Sequence, residues 1–422
     1  MYLTALDLGS SSIKGIVADL KKDGSLVIVK MVRRESRGIK RGEILYPEET
    51  VKSLFEVLSD IKHFDKKCLR NLIFGISGTK VKFHLSRAAV SIPRPDFEIL
   101  PEDVERVIKE SMAVNLPAGW QIIHSFPREF MIDDIEVDDT NVIGLSGKKL
   151  EANVVLISVF SSIYKNFMKL AHLVLGKRSD FDGSIIFTPI AAERAVLTKN
   201  QKDLGVVLVD IGFGTTSVVV YQDGKMILAK VLPVGSGNIT NDIAIGLKCS
   251  IEAAEAIKNS LGCAFSRDVS MKDKVDLQEY DSEMHSQVSR KYIAEIIEAR
   301  VREISSLINA ELKSIGKSGK LPAGAVITGG GAKLSGIVDI MREELKFPAH
   351  IGFPRLSECE VSTAHLADEL NDPEMTAVCG LLLTRYDMLS KKDSGFGFSG
   401  DTSYNINEPW IKRIIKTLMA SE

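Results

Sequence analysis

Cysteine is scarce in this 422-residue chain: Cys68, Cys249, Cys263, Cys359 and Cys379 are its only five. None forms a C-x-x-C pair, and the odd count argues against a complete disulfide framework, so a reducing, cytoplasmic setting is expected. Long apolar runs are missing too. Without about 18 consecutive apolar residues no conventional membrane-spanning helix is expected. The start of the chain has no basic leader followed by an apolar stretch, so no signal peptide is expected either. The histidines, His63, His84, His124, His172, His285, His350 and His365, make no metal-ligand cluster. An excess of one charge is also lacking, with 54 Lys and Arg against 56 Asp and Glu and a pI near 6.4. No basic domain stands out, which argues against nucleic acid as a partner.

What is present is a repeated short motif. Ala5-Leu6-Asp7-Leu8-Gly9-Ser10-Ser11-Ser12-Ile13-Lys14 and, about two hundred residues later, Leu208-Val209-Asp210-Ile211-Gly212-Phe213-Gly214-Thr215-Thr216 share one grammar. Each is an apolar strand, an aspartate at its end, and a glycine-and-hydroxyl turn into a second strand. Aspartates suit metal-bound water, and such turns present backbone N–H groups and hydroxyls to phosphate oxygens. One such turn by itself reads as an ordinary hairpin. Two in equivalent contexts, with Gly329-Gly330-Gly331 downstream, point to two related halves closing over a nucleoside triphosphate.

The rest of the chain agrees with an α/β organisation. Residues 2–9, 13–19 and 25–33 read as strands, 47–60 as a helix, and 71–77 as a buried strand. Texture changes near Val81, where a charged helix at 101–113 and the segment 121–133 suggest an insertion with its own small sheet. Helices follow at 161–174 and 189–198. The opening grammar then returns as strands 205–211, 216–221 and 226–232, which implies two related lobes. A helical, charged stretch at 241–317 precedes a strand at 325–328. Residues 391–409 have no useful periodicity and read as a flexible linker.

Each candidate has a stated chemical reason. Asp7 and Asp210 are expected to orient Mg2+ through water, because Mg2+ retains waters while bound to a triphosphate. Gly9, Ser10, Ser11, Ser12 and Lys14 make the first phosphate turn, with Lys14 meeting either phosphate or a carboxylate. Gly212, Gly214, Thr215 and Thr216 make the second, where backbone donors hold phosphate without desolvating another full charge. Gly329, Gly330 and Gly331 follow an apolar strand and allow close approach to a ribose or adenine. No G-x-x-x-x-G-K-S/T segment accompanies these sites. Glu255 and Lys258, at i and i+3, can share an exposed helix face and bond ribose hydroxyls, or simply form a solvated pair.

The last residues carry a different signal. Ile411, Ile414, Ile415 and Leu418 follow i, i+3, i+4, i+7 spacing, with Trp410 and Met419 widening the apolar face and Lys412, Arg413 and Lys416 opposite. Docking on the protein's own core, binding a partner protein and lying on an anionic membrane all fit that pattern. The linker before it favours an independently reaching element.

Across essentially its whole length the chain resembles the actin, Hsp70 and sugar-kinase superfamily, and within it the FtsA family of bacterial cell-division proteins. The resemblance rests on the two aspartate motifs, Ser36-Arg37-Gly38-Ile39-Lys40-Arg41-Gly42-Glu43-Ile44, Gly75-Ile76-Ser77-Gly78, Val234-Gly235-Ser236-Gly237-Asn238, Ala254-Glu255-Ala256-Ile257-Lys258 and Ile327-Thr328-Gly329-Gly330-Gly331-Ala332. It implies a two-lobed actin-like (ribonuclease H-like) α/β fold holding ATP and Mg2+, with Glu255 and Lys258 near the ribose. The implied subdomains are 1A at 1–82 and 156–199, 1C at 83–155, 2A at 200–242 and 322–390, and 2B at 243–321. A linker at 391–409 and an amphipathic membrane-targeting tail at 410–422 complete the chain.

The implied function is a peripheral adaptor on the cytoplasmic face of the membrane at the septum. It would self-associate, bind the FtsZ C-terminal peptide and recruit later divisome proteins. Arg290 and Arg300 are candidate contacts for that acidic peptide, or solvated surface. Thr188 stands where related filament-forming actins carry a Gln or Glu that positions the attacking water, and threonine is no carboxylate base at neutral pH. Slow or absent hydrolysis is therefore expected, with Glu193 farther along the helix as a possible substitute. An actin-like pilus or shell scaffold and a small-metabolite kinase are the alternatives.

Overall fold

The structure, a computed structural model, describes residues 1–137, 142–175, 185–282 and 285–390. The linker at 391–409 and the tail at 410–422 lie outside those residues. The described chain forms two compact units, Met1–Thr79 with Phe187–Leu382, and Lys80–Ile186 with residues 383–390.

The first unit contains two sheets of the same construction. One carries Leu72–Ile76, Tyr2–Leu8, Ser12–Leu20, Leu26–Glu35 and Cys359–Val361 in that order; the other carries Lys225–Leu232, Thr216–Gln222, Val206–Ile211, Ala325–Thr328 and Ala349–Ile351. Each is a three-strand antiparallel meander with a parallel strand beside its first member. The inner strands are covered on both faces, so their sequences are apolar runs such as Val206-Val207-Leu208-Val209 rather than alternations. Both aspartates fall at equivalent register positions. Asp7 pairs across to Lys14 and beside Gly75, while Asp210 pairs across to Ser217 and beside Thr328.

Helices cover these sheets for readable reasons. Pro47–Phe64 starts on a proline, has Glu48 and Glu49 in its first turn and Lys62 and His63 in its last, as the helix dipole favours. Its Leu54, Val57, Leu58 and Ile61 are buried at helical spacing. Val57 and Ile61 press against Gly15, where an added Cβ would meet Ile61 at 3.1 Å. On the second sheet, the 25-residue helix Arg290–Ser314 buries Ile293, Ile297, Val301, Ile304, Ile308 and Leu312. They pack with Ile243 and Ile257 of the helices Ser236–Leu247 and Ile251–Leu261 against Val207, Val209, Val218 and Val220. Each such side chain contributes about 1.5–3 kcal/mol by leaving water.

The second unit is an antiparallel sheet in the order Val81–Ser91, Lys149–Phe160, Trp120–Ile132, Ile135–Val137. The helix Pro101–Ser111 supplies Val104, Val107 and Ile108 to a separate core with Phe130, Leu150, Ala152, Val154 and Leu156. His124 is buried on Trp120–Ile132, and that burial pushes its imidazole down to about 3.

Candidate functional site

Within the first unit, a cavity of about 670 Å³ opens where the two aspartate turns face one another. Its lining includes Asp7, Gly9, Ser10, Ser11, Ser12 and Lys14 from the first motif, and Asp210, Gly212, Gly214 and Thr215 from the second. The turns meet directly. A Cβ on Gly214 would lie 2.9 Å from Ser10 Oγ and 3.0 Å from the Arg41 nitrogen, so only glycine fits there. Ser10 Oγ in turn accepts a hydrogen bond from the Gly42 N–H at 3.2 Å. Gly9 is equally confined, since a Cβ there would sit 2.7 Å from the Ser12 carbonyl.

The electrostatics of the two aspartates differ. Lys14 Nζ lies 3.6 Å from Asp7 Oδ2, so the first turn supplies its own counter-charge. Asp210 faces Ser217 at the corresponding place. Enclosure by the cleft pushes the Asp210 carboxyl up to about 6, with the negative charges of Asp7 and Glu374 adding to the effect and Lys14 opposing it. Among the described residues, no three His, Cys, Asp or Glu side chains are grouped closely enough to hold a metal directly. The donor set instead suits a hydrated cation, with carboxylates reached through water.

The glycine triplet has two duties. Gly329 has φ +83°, and a Cβ there would collide with Asp210 Oδ1 and lie 2.6 Å from the Ile211 carbonyl. A side chain at Gly331 would strike Ile211. These two glycines let the strand Ala325–Thr328 turn tightly against the end of Val206–Ile211, while exposed Gly330 faces the cavity. The segment after the triplet is a 3-10 turn, Gly330–Lys333, before the helix Ile337–Leu345 begins.

Two expected site residues have other occupations. Thr216 is fully buried and its hydroxyl donates to the Val234 carbonyl at 2.8 Å; its neighbour Ser217 lines the cavity instead. Strand alternation explains the exchange, because successive side chains point to opposite faces. Glu255 and Lys258 both line the cavity, but Lys258 is buried rather than exposed. Its ammonium is 2.6 Å from Glu255 Oε2 and donates to Thr240 Oγ1 at 2.9 Å. Burial lowers the Lys258 pKa, and Glu255 opposes that shift.

Thr188 opens the helix Thr188–Val196 and lines the cavity, with its buried Oγ1 making no hydrogen bond among the described residues. It sits so close to the strand Leu72–Ile76 that a Cβ on Gly75 would come within 2.6 Å of that oxygen. Glu193 is fully buried on the same helix, paired with Lys202, and is not part of the cavity wall. Arg290 lines the cavity and donates to the Leu261 carbonyl at 3.2 Å. Arg300 is engaged by Asp242 at 2.6 Å and 2.8 Å.

Glu374, Arg33 and Lys333 also line the cavity, and sequence reasoning missed them. Glu374 lies far from the repeated motifs along the chain, whereas Lys333 closely follows Gly331 and Arg33 pairs across from Lys14 on the next strand. The one available signal was Asp372-Pro373-Glu374, a helix-start pattern in which Asp372 accepts from the Glu374 N–H at 2.8 Å.

Comparison with known proteins agrees with this architecture. A family model described as "Cell division protein FtsA" matches residues 207–380, and one described as "SHS2 domain inserted in FTSA" matches 78–158. The cell division protein FtsA of Pseudomonas aeruginosa is 30% identical over 408 residues, covering 96% of this chain and 94% of that protein. Among solved structures, a PilM-PilN type IV pilus biogenesis complex aligns with a TM-score of 0.62 at 15% identity, covering 91% of this chain and 98% of that one. MreB5 of Spiroplasma citri bound to ADP aligns with a TM-score of 0.54 at 14% identity, covering 93% and 99%. The last two are likenesses of fold alone. With its actin-like α/β fold and a relative of this identity over nearly its full length, the chain belongs to the FtsA family of cell-division proteins.

Proposed function

We propose that this chain is an ATP-binding adaptor of cell division that self-associates, tethers FtsZ filaments to the cytoplasmic face of the membrane and recruits later divisome proteins. The observation that carries the reading is the meeting of both glycine turns around one cavity, with Asp7 and Asp210 at matched register, in a chain of the FtsA family. Bound Mg-ATP would bring a hydrated cation for Asp7 and Asp210 to orient and phosphates for the two turns to hold. Gly9, Ser10, Ser11, Ser12 and Lys14 would serve one side of the phosphate chain, and Gly212, Gly214 and Thr215 the other. Glu255 would accept from the ribose, with Lys258 holding it in position, and Gly329, Gly330 and Gly331 would border the nucleoside.

Hydrolysis is expected to be slow or absent. Thr188 offers the attacking water a hydroxyl rather than a carboxylate, and Glu193 is committed to Lys202. The nucleotide would then act chiefly as a regulator of assembly.

The mapping to subdomains 1A, 1C, 2A and 2B belongs to this reading, as does a membrane-binding tail at 410–422. Among the described residues no helix is long and apolar enough to cross a membrane. A short amphipathic tail binds reversibly, so oligomers would hold the membrane better than single copies.

Co-sedimentation with anionic vesicles, with and without FtsZ, tests the whole proposal. The protein is expected to bring FtsZ to the vesicles, and deletion of 410–422 to release both while ATP binding persists. Vesicle binding that never recruits FtsZ would instead favour a pilus or shell scaffold. Equal vesicle recovery of full-length and truncated protein, at matched oligomeric state, would reject the anchor.

A further inference from the structure

The cavity holds more negative charge than its repeated motifs account for. Glu374, in the 3-10 turn Pro373–Met375, is largely buried and is brought to the cavity from near the end of the described chain. Its Oε1 lies 3.5 Å from Lys14 Nζ and 2.9 Å from Arg33, and accepts from Ser12 Oγ at 3.4 Å. Its Oε2 lies 3.7 Å from Lys333 Nζ, which is itself 2.7 Å from Asp372. One carboxylate thus engages three cations from three separate segments, and one of them, Lys14, is the cation of the first phosphate turn.

We infer that Glu374 is an internal counter-anion of the phosphate-binding cations, which a bound nucleotide must displace, and that it sets how strongly nucleotide binding depends on a divalent cation. This rests on the proposed ATP reading of the cleft. The local geometry carries it: Glu374 lies within reach of Lys14, Arg33 and Lys333, and Lys14 is also held by Asp7, so two carboxylates already occupy the cation of the first turn. A phosphate chain brings more negative charge beside these two carboxylates and competes with them for Lys14. Two routes relieve the repulsion: Glu374 releases Lys14 and Arg33 to the phosphates, or a divalent cation enters with the nucleotide. Repulsion between like charges is strong in such a partly buried site because little water screens it. Glu374 therefore weakens metal-free nucleotide most and metal-bound nucleotide least. Removing its charge while keeping its shape leaves the same cations free for phosphate.

The test measures ATP affinity by calorimetry on the full-length protein, with excess Mg2+ and with EDTA, for wild type, Glu374→Gln and Glu374→Asp. Glu374→Gln is expected to tighten metal-free ATP by about tenfold, the equivalent of about 1.4 kcal/mol, and to shrink the ratio between the two conditions. Glu374→Asp keeps the charge but draws it back from Lys14, so a smaller gain in the same direction is expected. Unchanged or weaker metal-free binding by Glu374→Gln overturns the inference and makes Glu374 an aid to the cation instead. If circular dichroism shows that Glu374→Gln does not fold, Glu374→Asp decides by the same criterion. A wild-type protein that binds ATP under neither condition removes the ATP reading of the cleft, and the counter-anion with it. Binding that is normal in wild type and unimproved in both variants removes the counter-anion alone.

Discussion

The two aspartate turns share a topology and differ in charge. In both, a buried strand carries aspartate as its next-to-last residue, pairs antiparallel with the strand after the turn and parallel with a later one. The residue opposite Asp7 is Lys14, whereas the residue opposite Asp210 is Ser217. The first turn is therefore self-neutralised, and the second borrows Lys14 across the cavity. Asp210, enclosed and facing other carboxylates, rises to about 6. Repetition of a backbone plan preserved the places for the ligands while changing one side chain at equivalent register, which gave the two halves unequal needs for a cation.

The largest expected effect comes from removing the aspartate with no cation of its own. Asp210→Ala should weaken Mg-ATP binding by roughly 10–100-fold, the usual cost of losing a group that orients a metal's bound water, with little change in melting temperature. Asp7→Ala should cost less, because Lys14 retains Glu374 as a partner. Equal losses in a fluorescent-nucleotide titration would break the asymmetry between the turns.

Next in size is the glycine beside Asp210. Gly329→Ala forces a side chain into a left-handed backbone and against the carboxylate, and should destabilise the protein by about 1–3 kcal/mol in urea unfolding. Gly330→Ala meets nothing closer than 3.7 Å and has an ordinary φ, so its change should stay within about 0.5 kcal/mol. Similar destabilisation by both would mean that the triplet's packing is not the source.

A cation can also be restored to the second turn. Ser217→Lys should lower the Asp210 pKa by about one unit or more, as an opposite charge at this range does. The sign can be followed in stability. A carboxyl raised from 3.8 to about 6 stabilises the folded state below pH 3.8, and that contribution is lost as pH rises through 6. Asp210→Asn should therefore gain on wild type in nucleotide-free melts between pH 4 and 7, and Ser217→Lys should narrow the window. His124 in the other unit has the opposite sign. Its pKa falls from 6.5 to about 3, so its contribution is present above pH 6.5 and is lost as pH falls toward 3. His124→Gln should flatten that acid limb without altering the Asp210 window; a shift of both would show that the assignments are crossed.

The smallest effect separates Thr216 from its neighbours. Thr216→Val removes one buried hydrogen bond to Val234 and should cost about 1 kcal/mol of stability, with ATP affinity unchanged. A loss of affinity would return Thr216 to the site.

Much of the architecture was legible because its signals are local. Apolar runs ending in Asp7 and Asp210 gave the repeated sheets, and the spacing of Val51, Leu54 and Leu58 gave the helix Pro47–Phe64. Glycines at 9, 214 and 329 marked close backbone approach, a constraint that leaves its trace in residue type. Thr216 was misplaced by one position because the turn offers two adjacent threonines, and only strand pairing decides which one faces the cavity. Lys258 read as exposed because i and i+3 spacing does not reveal that Ser236 and Thr240 of a neighbouring helix draw its ammonium inward.

The sequence by itself determined the two-fold grammar, the aspartates, and the glycine turns, because each depends on neighbours a few residues away along the chain. Only the tertiary structure decided that Glu374 reaches Lys14 and Arg33, that Arg290 joins the cavity wall, and that Glu193 belongs to Lys202. Charges interact through space, and the fold alone sets which carboxylates and cations, separated by up to hundreds of residues, come within a few ångströms of one another.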